Sequence, residues 1–121
     1  RSTYSCIFAN KKNMQKTIDA VEKWAAEKNL LDKNNSFQQF AKVVEEVGEI
    51  AAALCKKRPK RELQDSIGDV IVTLIILSRQ NGLTLESCLQ EAYYEIANRR
   101  GKPVDGVFIK EEEWLYYITY S

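Results

Sequence analysis

Apolar residues recur three and four positions apart in the first part of the chain, which places them on one face of a helix. Between Met14 and about Lys28 the recurring residues are Ile18, Val21, Trp24 and Ala25. The polar sequence DKNNS follows at residues 32–36 and interrupts the pattern. We therefore predict a first helix followed by a loop.

A second helix is predicted to begin at Asn35 or Ser36, because either side chain can cap a helix N-terminus. Its apolar residues fall within one narrow stripe, at Phe40, Val44, Val47, Ala51 and Leu54. The opposite side is polar and carries Gln39, Lys42, Glu45, Glu46 and Glu49. The basic run KKRPKR, residues 56–61, contains a proline that ends this helix, and we interpret the run as a solvated turn.

A third helix is predicted from about Glu62 to Gln80, with Asn81 and Gly82 as its stop. Its segment Val70–Leu77 is apolar on every side, which is typical of a helix buried in a bundle or at a subunit interface. The β-branched residues would also suit a strand. The long helical pattern around the segment and the lack of partner strands favour a helix.

Thr84 begins the sequence TLES, which can cap a fourth helix that reaches about Arg99. Residues 101–106 are rich in glycine and proline and are predicted to form a loop, and residues 107–121 form a tail of mixed pattern. The fold predicted is all-α and four-helix-bundle-like, with subunits assembled through helix packing into a homodimer or homotetramer.

With 121 residues and 45% hydrophobic content, the chain is expected to form a single domain, 1–121, with its helical core at 14–100. Residues 1–13 precede the only methionine, Met14, and are expected to be an extension or a cloning remnant. Eighteen basic and seventeen acidic residues give a net charge of +1, which argues against nucleic acid as a partner.

Three cysteines without a CxxC pair suggest neither a disulfide framework nor a cysteine metal site. No apolar stretch reaches the roughly 18 residues of a membrane-spanning helix, and the N-terminus lacks the layout of a signal peptide. We therefore expect a reduced, cytoplasmic protein without a membrane partner.

Two groups of carboxylates lie beside strongly apolar sequence, Glu45/Glu46/Glu49 and Glu62/Asp65/Asp69. Within each group the spacing of three and four residues places the acids on one helix face. Two antiparallel helices joined by a short basic turn would bring the groups together, and hard oxygen ligands suit Mg²⁺ or Mn²⁺. The alternative is a solvated acidic face, but charge that continues into an apolar stripe is costly unless it is paired.

The chain contains no histidine, which excludes several other classes of site. Di-iron carboxylate bundles, histidine-ligated zinc hydrolases and Ser-His-Asp enzymes all require it. The phosphate-binding patterns GxxxxGK[ST] and GxGxxG are also absent. An all-carboxylate magnesium site remains, to which a phosphorylated substrate would contribute its own oxygens.

The sequences QQFAKVVEEVGEIAAAL, DSIGDVIVTLIIL and NRRGKPVDGVF together resemble the MazG-like all-α nucleoside triphosphate pyrophosphohydrolases, over about residues 21–110. This family also includes phosphoribosyl-ATP pyrophosphohydrolase and the dimeric dUTPases, and its signature is EExxE followed on the next helix by ExxD. The resemblance is strongest to small phage and bacterial members.

The resemblance implies that Glu46, Glu49 and Asp69 bind Mg²⁺, with Mn²⁺ as a substitute. Glu45 would bind a second ion or orient the attacking water. The chain departs from the signature at Ser66, where the glutamate of ExxD is expected, and Asp65 is the candidate replacement ligand.

Several residues are candidates for binding the substrate. The resemblance favours phosphate contacts for Asn98, Arg99 and Lys102, whose alternative role is to complement the dipole at a helix C-terminus. Lys42 could contact phosphate or form an ion pair with Glu45 or Glu46. Base contacts are predicted for Gln39 and Trp24, and the alternative for Trp24 is a place in the core.

The function predicted is Mg²⁺-dependent hydrolysis of a nucleoside or deoxynucleoside triphosphate to the monophosphate and pyrophosphate, in nucleotide-pool housekeeping. Two alternatives stay open. One is a phosphoribosyl-ATP pyrophosphohydrolase, and the other is a noncatalytic helical interaction module.

Overall fold

The chain is mostly helical in a computed structural model that describes the backbone of residues 3–113 and the side chains of residues 13–113. Its elements are α1 (Thr3–Glu27), a short 3-10 helix (Lys33–Asn35), α2 (Ser36–Cys55), α3 (Lys60–Gln80), α4 (Leu85–Ile96), β1 (Gly101–Val104) and β2 (Val107–Lys110). They divide into two compact units, the first up to Leu85 and the second from Glu86. The helical character agrees with the predicted fold class, and the prediction of a single domain stays a prediction.

Helix α1 begins earlier than its periodicity predicted, at Thr3 instead of Met14. It ends where Asn29 adopts a left-handed conformation with φ of 58°. The amide of Leu30 then donates to the carbonyl of Ala25, a bond that satisfies the helix terminus. Side-chain expectations for residues 1–12 lie outside the described residues.

Helices α2 and α3 are antiparallel, because residues near the start of one helix contact residues near the end of the other. Asn81 Nδ2 donates to the hydroxyl of Ser36 at 3.1 Å, and Gln39 Nε2 donates to the carbonyl of Thr73 at 3.0 Å. The turn between them contains Lys57 at a positive φ of 50°, followed by Pro59 at the N-cap of α3. This short connection brings the C-terminal end of α2 beside the N-terminal end of α3.

The core of the first unit is small and lies where α1, α2 and α3 meet. Its buried apolar residues are Ala25, Ala53, Ile75 and Ile76. Gln80 is buried with them, and its Nε2 donates to the carbonyl of Leu30 at 2.8 Å, which ties the end of α3 to the segment after α1.

The narrow apolar stripe of α2 is not part of this core. Instead the apolar residues of α2 that are partly or fully buried are Val43, Ile50, Ala52 and Ala53, and the partly buried polar ones are Ser36, Gln39 and Glu46. The stripe itself is exposed in the isolated chain. Periodicity therefore identified an apolar face correctly, but α3 packs against the neighbouring face of the helix.

The second unit contains α4 and a hairpin. Strands β1 and β2 are antiparallel and pair Gly101 with Lys110 and Val104 with Val107. Asp105 and Gly106 form the two-residue turn, with φ of 50° and 80°, as a type I′ turn requires. The predicted loop over residues 101–106 was therefore wrong, and helix α4 ends at Ile96, before the predicted Arg99.

Close packing inside the hairpin explains why a glycine begins β1. A Cβ atom on Gly101 would collide with the carbonyl oxygen of Ile109 and would also lie 2.6 Å from the ring of Phe108. Residues 114–121, the greater part of the predicted tail, lie outside the described residues. Among the helices that the structure describes, none combines the length and the apolar character needed to span a membrane.

Candidate metal and phosphate site

An open groove of about 750 Å³ lies between the C-terminal end of α2 and the N-terminal half of α3. Its size is within the range of small-molecule sites. Four acidic and two basic side chains line it, and the full lining is Glu49, Arg58, Arg61, Glu62, Asp65, Ser66 and Asp69. The antiparallel packing of the two helices thus brings Glu49 into the same groove as the second acidic group.

The acidic face of α3 becomes more buried toward the middle of the helix. Asp65 is exposed, Ser66 and Asp69 are half-buried, Val72 is also half-buried and Ile76 is in the core. Asp69 therefore lies where the groove meets apolar packing, and a carboxylate there has less access to water than Asp65. Ser66, the departure from the family signature, lines the groove between these two acids.

Arg58 connects acids from the two sides of the groove. Its Nη1 lies 3.4 Å from Glu49 Oε2, and its Nε lies 3.9 Å from Glu62 Oε2. The sequence analysis predicts a solvated turn for the run that contains Arg58 and Arg61, whereas both residues line the groove. The signal that could have found Arg58 is its position four residues before Glu62, together with the turn that returns α3 alongside α2.

Glu45 and Glu46 are engaged by Lys42 one turn earlier on α2. The ammonium of Lys42 lies 3.2 Å from Glu45 and 3.5 Å from Glu46. Its hydrogen bond to Glu45, and the negative charge of both acids, raise the pKa of Lys42 above its ordinary value. The alternative role of Lys42 as an ion-pair partner is therefore present in the structure, and phosphate contact stays a prediction.

The four predicted metal ligands are not all brought to one place. Glu49, Asp65 and Asp69 line the groove, whereas Glu46 does not. The side chain of Glu46 is only 17% exposed, on the α3-facing side of α2. Within residues 13–113 no three acidic or cysteine side chains are close enough together to hold an ion.

The chemistry of the groove nonetheless fits Mg²⁺. Carboxylate oxygens are the protein ligands this ion prefers, and it takes only one or two of them when phosphate oxygens complete its coordination. Glu49 and Asp69 could supply these carboxylates from facing helices. Holding an ion would require rotation of these side chains, because Glu49 is in contact with Arg58.

The predicted base-binding residues are both in the first unit. Trp24 on α1 is exposed to 48%, so it is outside the core and its ring is open to contact. Gln39 is half-buried and uses its amide nitrogen to bond the carbonyl of Thr73. This bond leaves the side-chain oxygen of Gln39 as the atom that could accept from a base.

The predicted phosphate-binding residues lie in the second unit. Asn98 and Arg99 line a groove there, formed by the end of α4 and the hairpin, together with Glu95, Arg100, Lys110, Glu111 and Glu112. Lys102 is exposed on β1. Three cations and three acids line this groove, and Arg100 lies 4.0 Å from Glu111.

Comparison with known proteins places these features in one family. Residues 36–102, more than half of the chain, match the family model described as the MazG nucleotide pyrophosphohydrolase domain. The chain is also 38% identical over 69 residues to a protein of Haemophilus phage HP1 (strain HP1c1) described as "Uncharacterized 18.2 kDa protein in rep-hol intergenic region".

The aligned part covers 57% of this chain and 42% of the phage protein, so the chain spans less than half of that relative. No solved structure gave a significant match. The family match includes α2, α3 and α4, and hence every acid that lines the groove between α2 and α3. The chain therefore belongs to the family of the MazG nucleotide pyrophosphohydrolase domain.

Proposed function

We propose that this chain hydrolyses a nucleoside or deoxynucleoside triphosphate to the monophosphate and pyrophosphate, with Mg²⁺ as its cofactor. The observation that carries the proposal is the groove in which Glu49 and Asp69, from antiparallel helices, lie beside Arg58 and Arg61. Carboxylates suit a hard divalent cation, and guanidinium groups suit phosphate oxygens. A groove that offers both is matched to a metal-bound triphosphate.

In this proposal Glu49 and Asp69 hold the cofactor, with Asp65 and Glu46 as further ligands. The bound ion would offset charge on the triphosphate and lower the pKa of a coordinated water. Glu45 orients the attacking water. The water oxygen forms a bond to the α-phosphorus, the bond from that phosphorus to the bridging oxygen breaks, the water loses a proton to solvent, and pyrophosphate leaves.

The cations of the groove contribute by binding phosphate. Arg58 lies beside Glu49, so its guanidinium would be available to a phosphate bound there if Glu49 held the ion. Asn98, Arg99 and Lys102 are proposed as further phosphate contacts, and Trp24 and Gln39 as base contacts. Nucleotide-pool housekeeping in the cytoplasm is the proposed role.

The test is pyrophosphate release from a panel of canonical and modified triphosphates, with Mg²⁺ or Mn²⁺ and with Glu49→Gln as the inactive variant. Glu62→Gln is the matched control, because Glu62 also lines the groove and contacts Arg58 but is not a proposed ligand. We expect one monophosphate product, loss of at least about 100-fold in Glu49→Gln, and less than about 5-fold change in Glu62→Gln.

The ion pairs of Lys42 and Arg58 favour one other candidate, a noncatalytic helical module. They show that the chain's own cations can neutralise Glu45, Glu46 and Glu49. Absence of hydrolysis across the panel, including phosphoribosyl-ATP, together with a melting temperature that millimolar Mg²⁺ does not change, would refute the proposed function and support the module.

A further inference from the structure

The connection from α2 into the first turn of α3 is a concentrated patch of positive charge. We refer to residues 56–61 as the basic turn, and its cations are Lys56, Lys57, Arg58, Lys60 and Arg61. Arg58 is ion-paired to Glu49 and Glu62. Among the residues whose side chains the structure describes, the other four cations form no ion pair, and all four are exposed. Because like charges this close repel, a bound anion would stabilise the turn.

Lys57 adopts a backbone conformation that does not suit a lysine. Its φ is 50°, in the left-handed region, and the amide of Arg58 donates to the carbonyl of Ala53 at 2.9 Å, as in a helix end that a glycine usually closes. The other non-glycine residues with positive φ in the described chain are Asn29 and Asp105, whose short polar side chains tolerate this conformation. A lysine has no such compensation, which favours a role for its charge.

The groove beside the basic turn does not attract an anion through its own lining. Its four acids and two arginines leave two excess negative charges, which one Mg²⁺ ion would neutralise. A triphosphate is a polyanion, and the positive charge that could attract it lies on the lysines at the edge of the groove. These are Lys56, Lys57 and Lys60, which adjoin the two lining arginines in sequence.

The chemistry around the basic turn suits a chain of phosphate groups and not a base. Residues 41–92 contain no aromatic residue, and the groove is lined by charged side chains and one serine. A base is held by stacking on rings or by apolar side chains, and single-stranded nucleic acid requires the same stacking. A net charge of +1 and four acids in the groove also disfavour a long phosphate backbone.

We propose that the basic turn docks the terminal phosphates of the substrate and recognises a short phosphate chain whether or not it carries a nucleoside. Arg61 is the inner contact, because it lines the groove without an ion pair in the described chain, and Lys57 and Lys60 attract the anion from the exposed edge. The inference rests on the proposed function for the identity of the substrate. The recognition itself requires only charge, so inorganic tripolyphosphate binds at the same place.

The first test is isothermal titration of the intact chain with inorganic phosphate, pyrophosphate and tripolyphosphate at millimolar Mg²⁺. We expect tripolyphosphate to bind at least about 10-fold more tightly than phosphate, because each added group brings further negative charge. No measurable binding of tripolyphosphate, or equal binding of all three anions, would overturn the proposal. A single-stranded oligonucleotide that binds more tightly than tripolyphosphate would also overturn it and would assign the turn to nucleic acid.

The second test changes two lysines of the turn together, as Lys57→Gln/Lys60→Gln. Both side chains are exposed, so the variant should keep its helical circular dichroism. It should bind tripolyphosphate at least about 10-fold more weakly at about 50 mM salt, and the difference should shrink at about 300 mM, where surface charges are screened.

Lys28→Gln/Lys33→Gln is the matched control. It removes two exposed lysines that precede α2, whereas the basic turn follows this 20-residue helix. Neither lysine forms an ion pair with another described residue. The control should change the affinity for tripolyphosphate by less than about 2-fold. Equal losses in the two double variants would mean that only net charge matters, which would overturn the proposal.

Kinetics separate this inference from the proposed function. In a chain that hydrolyses a triphosphate, Lys57→Gln/Lys60→Gln should raise KM at least about 10-fold, with a smaller effect on kcat. A KM within about 2-fold of the wild-type value would overturn the docking role while hydrolysis stands. A chain that hydrolyses no triphosphate but binds tripolyphosphate through these lysines would refute the proposed function and support the docking role.

Discussion

Arg58 lies in the acidic groove between α2 and α3, with its Nη1 3.4 Å from Oε2 of Glu49. The same guanidinium reaches Glu62 through its Nε at 3.9 Å, so one side chain joins the end of α2 to the first turn of α3. Since Glu49 is also a proposed metal ligand, Arg58 and the ion would compete for one carboxylate. The competition between Arg58 and the ion for Glu49 can be tested without substrate.

The first prediction concerns Arg58→Gln. Without metal, removal of the guanidinium should lower the free energy of unfolding by less than about 1 kcal/mol, because partly exposed ion pairs contribute little. With Mg²⁺ the variant should gain more in melting temperature than the wild type, since Glu49 is no longer shared. The measurement is thermal unfolding over a titration of Mg²⁺.

Arg79→Gln is the matched control for this change. Arg79 lies 3.4 Å from Glu22 in an ion pair of similar exposure between α3 and α1, away from the groove. It should lose comparable stability without any change in the response to Mg²⁺. An equal Mg²⁺ response in both variants would show that Arg58 does not compete with the ion.

The second prediction concerns Ser66, where the family signature has a glutamate. Its side chain lines the groove between Asp65 and Asp69, so Ser66→Glu would add a fourth carboxylate to the α3 side of the groove. We expect Mg²⁺ affinity to rise about 10-fold and the metal-free protein to become less stable through repulsion among the acids. Isothermal titration with Mg²⁺ measures the first effect and thermal unfolding the second.

The comparison for Ser66→Glu is Gln64→Glu, which adds the same charge to an exposed position of α3 that does not line the groove. If the added charge acts only by general electrostatic attraction, both substitutions should raise the Mg²⁺ affinity by a similar factor. An increase in Mg²⁺ affinity in Ser66→Glu alone would indicate that the new carboxylate binds the ion. Equal increases in both variants would argue against a ligand position at residue 66.

The third prediction separates the two aspartates of α3. Asp69 is half-buried and Asp65 is exposed, so the side chain of Asp69 is the more constrained of these two proposed ligands. Asp69→Asn should reduce hydrolysis by more than about 100-fold, a loss larger than that typical of an outer-sphere partner, and Asp65→Asn by about 10-fold. Steady-state kinetics at several Mg²⁺ concentrations provide the measurement. The reverse order would mean that Asp65 is the principal ligand.

Much of the helical frame follows from the sequence because its signals are local. The DKNNS break and the proline of KKRPKR mark both ends of α2, and the predicted third helix ends at Gln80, as it does in the structure. A short turn between two long helices makes them antiparallel neighbours. This is why the sequence alone predicts that Glu49 lies near Asp65 and Asp69.

The remaining features depend on information that periodicity does not contain. An apolar stripe identifies a face but not its neighbour, so the exposed stripe of α2 could not be distinguished from a core face. The hairpin was missed although Asp105-Gly106 is a strong type I′ signal, because the strands on either side have only four residues each. The contact of Arg58 with Glu49 arises only once α3 returns along α2.

The fourth prediction concerns the pH dependence of the Lys42 ion pairs. The hydrogen bond and charge of Glu45, with the charge of Glu46, raise the pKa of Lys42 in the folded protein above its ordinary value of 10.5. A raised folded pKa means that the stabilising contribution is fully present below the unfolded pKa. It is lost as the pH rises through the folded pKa, when the ammonium loses its proton.

Accordingly, wild type should be more stable than Lys42→Gln by a constant amount from neutral pH up to the ordinary lysine pKa, and the difference should vanish in more alkaline solution. Urea unfolding of both proteins over this range measures it, with Lys33→Gln as the control because Lys33 makes no ion pair among those the structure shows for residues 13–113. A difference that persists above the folded pKa would show that Lys42 acts through packing of its aliphatic chain and not through its charge.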